Sequence, residues 1–185
     1  AFGGRALEKD VSAKYLNSPE TSLFHKGSVL YNAHHARLPA FQKGTVIAVE
    51  GYVDVIALTQ AGFPNVVAPM GTALTHEQCL ALWSLSQTPM LCFDGDKAGQ
   101  KAAYRAMDLL LPLITSDHSV RCVFLPDGKD PDELLRDGGV TPMQQALDKA
   151  LSVIDVVWMQ EQDLSPLETP EQRAHFERRL FERLR

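Results

Sequence analysis

The sequence predicts an α/β protein: a parallel sheet of about four strands flanked by helices, followed by a small helical region. Three observations carry this. Short β-branched or apolar runs alternate with longer stretches of helical periodicity through residues 44–140. After Gly138-Gly139 only helical patterns remain. The predicted strands also end in acidic segments, at the edge where open parallel sheets bind ligands.

Residues 1–43 hold turn signals at Gly3-Gly4, Asn17-Ser18-Pro19 and Lys26-Gly27, and end in a short expected helix near 31–38. They read as a basic arm too short to fold alone. The first strand is expected at 45–49, β-branched and apolar, and the helix over 54–61 is closed by Gly62. A second strand is expected at 66–68. The helix after it opens on Thr75-His76-Glu77-Gln78, a capping-box pattern, with Leu80, Leu82, Trp83 and Leu85 at helical spacing. A third strand at 89–93 leads to a helix over 98–111 with Ala98, Ala102, Ala106 and Leu109 or Leu110 on one face. The fourth strand, 119–125, runs into a short helix at 130–136. Helices are then expected at 141–150 and 153–162. The last opens on Thr169-Pro170-Glu171-Gln172, with proline at the first helical position; Phe176, Leu180 and Leu184 share its face. The division is a basic arm (1–43), an α/β centre (44–140) and a helical region (141–185).

The 185 residues, 45% apolar, suffice for one core and a small appendage, which excludes a disordered tail and a multi-domain machine. Apolar runs such as 109–114 are far shorter than the roughly 20 residues of a bilayer span, so no membrane partner is expected. Cys79, Cys92 and Cys122 are too few and scattered for a disulfide framework or a C-x-x-C zinc site, and imply a reducing, cytosolic setting. The chain opens at Ala1 without an initiator Met, as a fragment of something longer would. Its net charge of −5 argues against a nucleic-acid partner, but the charge is uneven. The arm carries six basic against three acidic residues, the centre six against twelve, and the tail six against eight.

The acids fall where chemistry is expected. They follow the first strand (Glu50-Gly51-Tyr52-Val53-Asp54), the third (Asp94-Gly95-Asp96) and the fourth (Asp127-Gly128-Lys129-Asp130-Pro131-Asp132-Glu133). Carboxylates so crowded require a counter-charge, and a hard divalent cation such as Mg²⁺ supplies it while keeping waters for phosphate ligands. A single Asp in a turn is most simply a turn former; three acidic strand ends make the functional reading the better one. Asp-x-Asp after a strand also occurs in phosphoryl-transfer enzymes with an Asp nucleophile and in sugar-nucleotide transferases, so the motif leaves the reaction open. Gly71 and Thr72 could bind an anion ahead of a helix, although capping by Thr72 and Thr75 is the simpler reading. In the arm, Arg5, Lys14, Lys26, Arg37 and Lys43 with Tyr15 and Phe24 suit a single-stranded backbone and its bases, against the plainer alternative of a solvated charged loop. His34-His35 reads as surface. Trp83, Trp158, Phe176 and Phe181 read as core or packing residues, and Cys92 and Cys122 as buried in strands.

Four segments resemble one family. Glu50-Gly51-Tyr52-Val53-Asp54-Val55, Met70-Gly71-Thr72-Ala73-Leu74-Thr75, Phe93-Asp94-Gly95-Asp96 with Ala98-Gly99 and Lys101-Ala102-Ala103, and Gly128-Lys129-Asp130-Pro131-Asp132-Glu133-Leu134 are similar to the Toprim segment of bacterial DnaG-type DNA primases. Phe2-Gly3-Gly4-Arg5, Lys14-Tyr15-Leu16-Asn17-Ser18-Pro19-Glu20-Thr21 and Phe24-His25-Lys26-Gly27 resemble the stretch just upstream in the polymerase core, and select primase among Toprim proteins. The resemblance implies a Toprim-type sheet and synthesis of RNA primers by nucleotidyl transfer dependent on Mg²⁺ or Mn²⁺. It implies Glu50 as base or metal ligand, Asp94 and Asp96 as principal metal ligands, and Asp54, Asp130 and Asp132 completing the cluster. Glu50, Asp94 and Asp96 are then the catalytic set, and Arg5, Lys14 and Lys26 hold nucleic acid or nucleotide phosphates. Implied partners are a single-stranded DNA template and ribonucleoside triphosphates. A replicative helicase, single-strand binding protein and zinc are expected only through regions absent from this chain. The implied location is the bacterial cytoplasm at the replisome, and the fragment alone is expected to make little or no primer. Two alternatives are a Toprim protein that cleaves DNA strands, for which Tyr15, Tyr31, Tyr52 and Tyr104 sit in no cleavage motif, and a non-catalytic metal- or nucleic-acid-binding module.

Overall fold

The computed structural model describes residues 2–6, 15–70, 73–165 and 167–183. The chain begins with an antiparallel pair, β1 (Gly3–Arg5) and β2 (Tyr15–Asn17), in which Gly4 faces Leu16. It continues through β3 (Leu30–Tyr31), α1 (Ala33–Lys43), β4 (Ile47–Ala48), α2 (Tyr52–Gln60), β5 (Val66–Pro69), α3 (His76–Trp83), β6 (Met90–Phe93), α4 (Lys97–Leu110), β7 (Arg121–Phe124) and α5 (Pro131–Gly138). The remainder is α6 (Val140–Asp148), β8 (Leu151–Ser152), α7 (Val153–Leu164) and α8 (Pro170–Arg183).

The four parallel strands foreseen in the sequence form the centre of a sheet with the order β3-β5-β4-β6-β7-β8. Each edge is closed by a two-residue antiparallel strand that the sequence does not announce: β3 on β5 and β8 on β7. Strands this short carry no periodicity of their own; their neighbours create them. One comes from residues before 44 and the other from residues after 140, so both flanking segments join the central sheet.

Alternating strand residues feed two cores. Ala48, Val67, Leu91, Phe93 and Cys122 point to one face, with α1, α3, α4 and α7 over it. Ile47, Val49, Val66, Cys92 and Val123 point to the other, beneath α2, α5 and α6. This is the double covering a parallel sheet needs. The buried side of α4 is Gly99, Ala103, Ala106, Met107 and Leu110, rotated from the alanine face expected by periodicity. A contact at its first turn sets this rotation: a Cβ on Gly99 would lie 2.2 Å from the Asp94 carbonyl oxygen, so the helix starts hard against the end of β6.

The capping boxes of α3 (Thr75, Gln78) and of α8 (Thr169, Gln172) form as their sequences indicate. Cys79, Cys92 and Cys122 are buried, and burial pushes the Cys79 thiol up to about 11 and Cys122 up to about 12. His34 and His35 are exposed. Trp83 and Phe176 are buried, and Trp158, 43% exposed, packs edge-on against Phe176 at 4.7 Å, but Phe181 is 68% exposed, which corrects its reading as a core or packing residue. The cause is the rotation of α8, which turns Phe176, Arg179 and Arg183 toward α7 and leaves Phe181 outside. Trp158 and Phe181, with Leu167, Phe176 and Leu180, line a hollow of about 330 Å³. Among the described residues no helix is long and apolar enough to cross a membrane.

Candidate active site

The crossing of the chain from β5 to β6 passes over β4, so the sheet reverses its winding between β4 and β6. That crevice, at the carboxyl ends of the strands, is where doubly wound sheets bind ligands. Glu50 follows β4 and Asp94 follows β6, and they meet across it: the Asp94 backbone N–H donates to Glu50 Oε1 at 3.2 Å. The next loop is stitched on by Gly95, whose N–H donates to the Lys129 carbonyl at 3.0 Å. A Cβ on Gly95 would lie 2.3 Å from the Leu125 carbonyl oxygen, so only glycine allows the two loops this approach.

Asp96 and Asp130 open the helices that leave these loops. Asp96 Oδ1 accepts from the N–H groups of Ala98 and Gly99 at 2.8 and 2.7 Å, capping α4. Asp130 Oδ1 accepts from the Glu133 N–H at 2.7 Å, and the Glu133 side chain answers the Asp130 N–H at 3.3 Å in a capping box on α5. In both cases Oδ2 takes no part in the cap. Asp132 is paired with Arg136 one turn on, and Lys129 Nζ lies 3.0 Å from Asp137.

Electrostatics bind these acids into one cluster. Partial loss of hydration raises the Asp54 carboxyl to about 7, and repulsion from Asp130, Asp132 and Glu50 adds to it. The same loss raises Asp94 to about 7, reinforced by Glu50, Asp54, Asp130 and Asp96. Glu50 is also raised, by lost hydration and by Asp96, while the N–H of Asp94 and the charge of Arg105 pull it down. Asp96, Asp130 and Asp132 thus act as sources of the repulsion that bears on Glu50, Asp54 and Asp94. Among the described residues, no three His, Cys, Asp or Glu side chains are already drawn into a closed metal cage. Hard carboxylate oxygens in mutual repulsion, with two of them half committed to helix caps, suit a hard divalent cation that takes one or two carboxylates and keeps several waters.

The basic residues divide. β3 runs antiparallel to β5, pairing Leu30 with Pro69, so the turn holding Lys26 lies beside the carboxyl end of β5. The β1–β2 hairpin rests on the first turn of α2: a Cβ on Gly3 would sit 2.9 Å from Asn17 Oδ1 and 3.2 Å from the Tyr52 ring. The backbone of Arg5 pairs with Tyr15 in this two-stranded unit; its side chain and the whole of Lys14 lie outside the described residues, as do Gly71 and Thr72. Lys43 is on the opposite edge, its Nζ 5.7 Å from the centre of the Phe63 ring ahead of β5, and does not join the site. Sequence reasoning missed Arg105, the cation facing Glu50, and Gln78, fully buried beneath Lys26.

Two family models match the chain: Toprim-like over residues 47–135, and the N-terminal domain of the DNA primase catalytic core over residues 1–37. The DNA primase of Rickettsia felis is 41% identical over 179 residues, 97% of this chain and 30% of that protein. That of Pseudomonas aeruginosa is 50% identical over 139 residues, 75% of this chain and 21% of the relative. The chain therefore spans less than a third of the length of these relatives. Among solved structures, a DNA primase domain from Pseudomonas aeruginosa superposes with a TM-score of 0.88 at 40% identity, covering 98% of this chain and 58% of the other. The Escherichia coli primase catalytic core gives 0.83 at 34% identity, covering 98% and 64%. A DnaG primase catalytic domain bound to single-stranded DNA gives 0.86 at 36%, covering 98% and 59%.

Proposed function

Because the chain belongs to the bacterial DnaG-type primases, as a segment of their catalytic core, we propose that it carries the metal-binding centre for template-directed synthesis of RNA primers. The observation that carries this reading is the junction of Glu50 and Asp94 at the reversal point of the sheet, amid acids that no neighbouring cation neutralises in full. Glu50, Asp94 and Asp96 form the catalytic set, and Asp54, Asp130 and Asp132 complete the metal-binding cluster. Mg²⁺ or Mn²⁺, when bound, neutralises phosphate charge as a Lewis acid. The chain's own residues hold the geometry. The Asp94 N–H fixes the carboxylate of Glu50, the helix caps fix Asp96 and Asp130, and Gly95 locks the two acidic loops together. Holding reactants in place is the larger part of such catalysis.

Lys26 brings positive charge from the arm, and Lys14 and Arg5 of the same arm join it in this reading, for phosphates of a single-stranded DNA template or a ribonucleoside triphosphate. The three-part division, with the arm at 1–43, the catalytic unit at 44–140 and the helical unit at 141–185, belongs to this proposal. So do a cytoplasmic, replisome-associated setting and contacts with helicase and single-strand binding protein through other parts of the primase. The Tyr104 hydroxyl donates to Asp163 at 2.6 Å, which ties up one of the tyrosines a strand-cleaving enzyme would need.

The test is primer synthesis by the intact primase carrying Glu50→Gln or Asp94→Ala, together with Mn²⁺ titration of each variant. Loss of priming with weakened Mn²⁺ binding supports the proposal. Retained priming in both variants would reduce the rim to a structural ion site, and nicking of supercoiled DNA with Mg²⁺ would replace the proposal by strand cleavage.

A further inference from the structure

The turn that carries Lys26 has both of its peptide groups held. On one side the Lys26 N–H donates to Glu20 Oε1 at 2.9 Å. On the other, the Lys26 carbonyl accepts from Gln78 Nε2 at 2.9 Å, and the same amide nitrogen donates to the Val29 carbonyl at 3.0 Å. Thr75 Oγ1 donates to the Gly27 carbonyl between them. Gln78 is 0% exposed, in the first turn of α3, a place where polar side chains are rarely buried unless fully bonded.

Gln78 is saturated. Its Oε1 accepts from the Thr75 N–H at 3.1 Å and its N–H donates to Thr75 Oγ1 at 3.2 Å, closing the capping box, while its Nε2 spends both hydrogens on the Lys26 turn. A capping box needs only the oxygen, and glutamate serves it as well as glutamine. The amide nitrogen is thus surplus to the helix and is committed entirely to the arm, 52 residues earlier in the chain. The helix end that supports the turn stands beside the carboxyl end of β5, so the tether runs from the sheet's ligand-binding rim to the lysine.

We infer that Gln78, aided by Thr75, is a positioning residue for Lys26, fixing its peptide on the rim so that its ammonium meets a phosphate of the nucleic acid or the nucleoside triphosphate. This rests on the reading of Lys26 as a phosphate-binding residue. Binding energy here comes from a pre-placed charge; releasing the carbonyl lets the turn wander, and ordering it again is charged against affinity.

The experiment uses the intact primase with Gln78→Met, which keeps the volume and removes the amide, Lys26→Ala, and the double variant. Gln78→Met is expected to raise KM for nucleoside triphosphate or weaken single-stranded DNA binding by about 5–10-fold, with kcat within about twofold. In the Lys26→Ala background it is expected to add nothing, because its effect passes through that lysine. If Gln78→Met does not fold, Gln78→Glu, which keeps the capping oxygen and loses the amide donors, is read by the same criteria. If Lys26→Ala weakens binding while the Gln78 variants are silent, or weaken it by the same factor with and without Lys26, the inference is overturned and the role of Lys26 stands. A silent Lys26→Ala overturns both.

Discussion

The molecule treats its carboxylates in two opposite ways. At the catalytic rim Asp54 and Asp94, partly shielded from water, are raised to about 7, lost hydration first and the neighbouring acids next. At the seam between α7 and α8, Glu161 has a side chain only 5% exposed, yet it is held below the usual range. Burial alone would push Glu161 up. Arg179 Nε at 2.8 Å and Arg183 Nη1 at 2.9 Å outweigh it, and Arg183 also reaches Asp108 and Gln160, tying α8 to α4 and α7. Where a carboxylate serves the fold, the chain provides arginines. Where it serves the proposed chemistry, the chain leaves the charge only partly compensated, and the remaining counter-charge must come from a ligand.

The largest effect that sharpens this contrast is catalytic. Asp94→Ala in the intact primase is expected to lower priming by about 100-fold or more, the scale of losing one electrostatic element of a preorganised site, while the thermal midpoint of the 185-residue chain stays or rises. Priming assays and thermal melts in metal-free buffer read the two halves; a large drop in the midpoint would make Asp94 a structural acid like Glu161. The converse test is the double variant Arg179→Ala/Arg183→Ala. It strands a buried carboxylate and is expected to cost about 3–5 kcal/mol, lowering the midpoint by roughly 10 °C. A change within a degree would show that the seam is not held by its ion pairs.

pH separates the regions by sign. Asp54 and Asp94 hold protons more tightly in the folded chain than in the unfolded one. Their contribution to stability is therefore full below about pH 4 and is lost as pH rises toward and past 7. Glu161 does the reverse: its contribution is present above the ordinary glutamate range and is lost as the solution becomes more acidic. Asp54→Asn is accordingly expected to stabilise the metal-free chain at pH 8 by about 1–2 kcal/mol, allowing for residual solvent screening, and to have little effect at pH 4. Mn²⁺ at about 100 times its Kd adds about 2.7 kcal/mol to the wild-type chain, and is expected to add less to the variant. Melts at the two pH values, with and without Mn²⁺, decide it; an Asp54→Asn midpoint at pH 8 equal to or below wild type would remove the uncompensated charge from the account.

How much of this was legible in the sequence follows the range of the forces. The four parallel strands, the capping boxes and the acidic strand ends could be read from local pattern, since each depends on residues within one turn or one strand. The edge strands β3 and β8 could not, because two residues acquire strand geometry only from a neighbour. Glu50 and Asp94 stood out as acids after strands, but their meeting depends on the order β5-β4-β6, which no local signal encodes. Gln78 reads as a helix cap and nothing more until the arm is folded against it. Phe181 falls outside the core or packing role expected of it, because an aromatic residue at helical spacing says which side of a helix is apolar, not whether a partner arrives to cover it.

Asp132 lies between the two treatments and yields the smallest effect. It belongs to the acidic cluster, since it contributes to raising Asp54, yet it carries an arginine of its own, Arg136 on the next turn of α5. That pair is open to water: Arg136 is 65% exposed and Asp132 36%. Exposed i,i+4 pairs are worth only about 0.3–0.5 kcal/mol, so Arg136 competes weakly with a cation on the rim. Arg136→Ala is expected to leave the thermal midpoint within about 2 °C and to tighten Mn²⁺ binding about twofold, because a rival charge is gone and Asp132 turns wholly to the cluster. Calorimetric Mn²⁺ titration at low and high salt measures this, with the gain shrinking as salt screens the pair. Weaker Mn²⁺ binding in Arg136→Ala would mean that the arginine orients Asp132 for the ion, and would move Asp132 to the side of Glu161, among the carboxylates for which the chain supplies the partner.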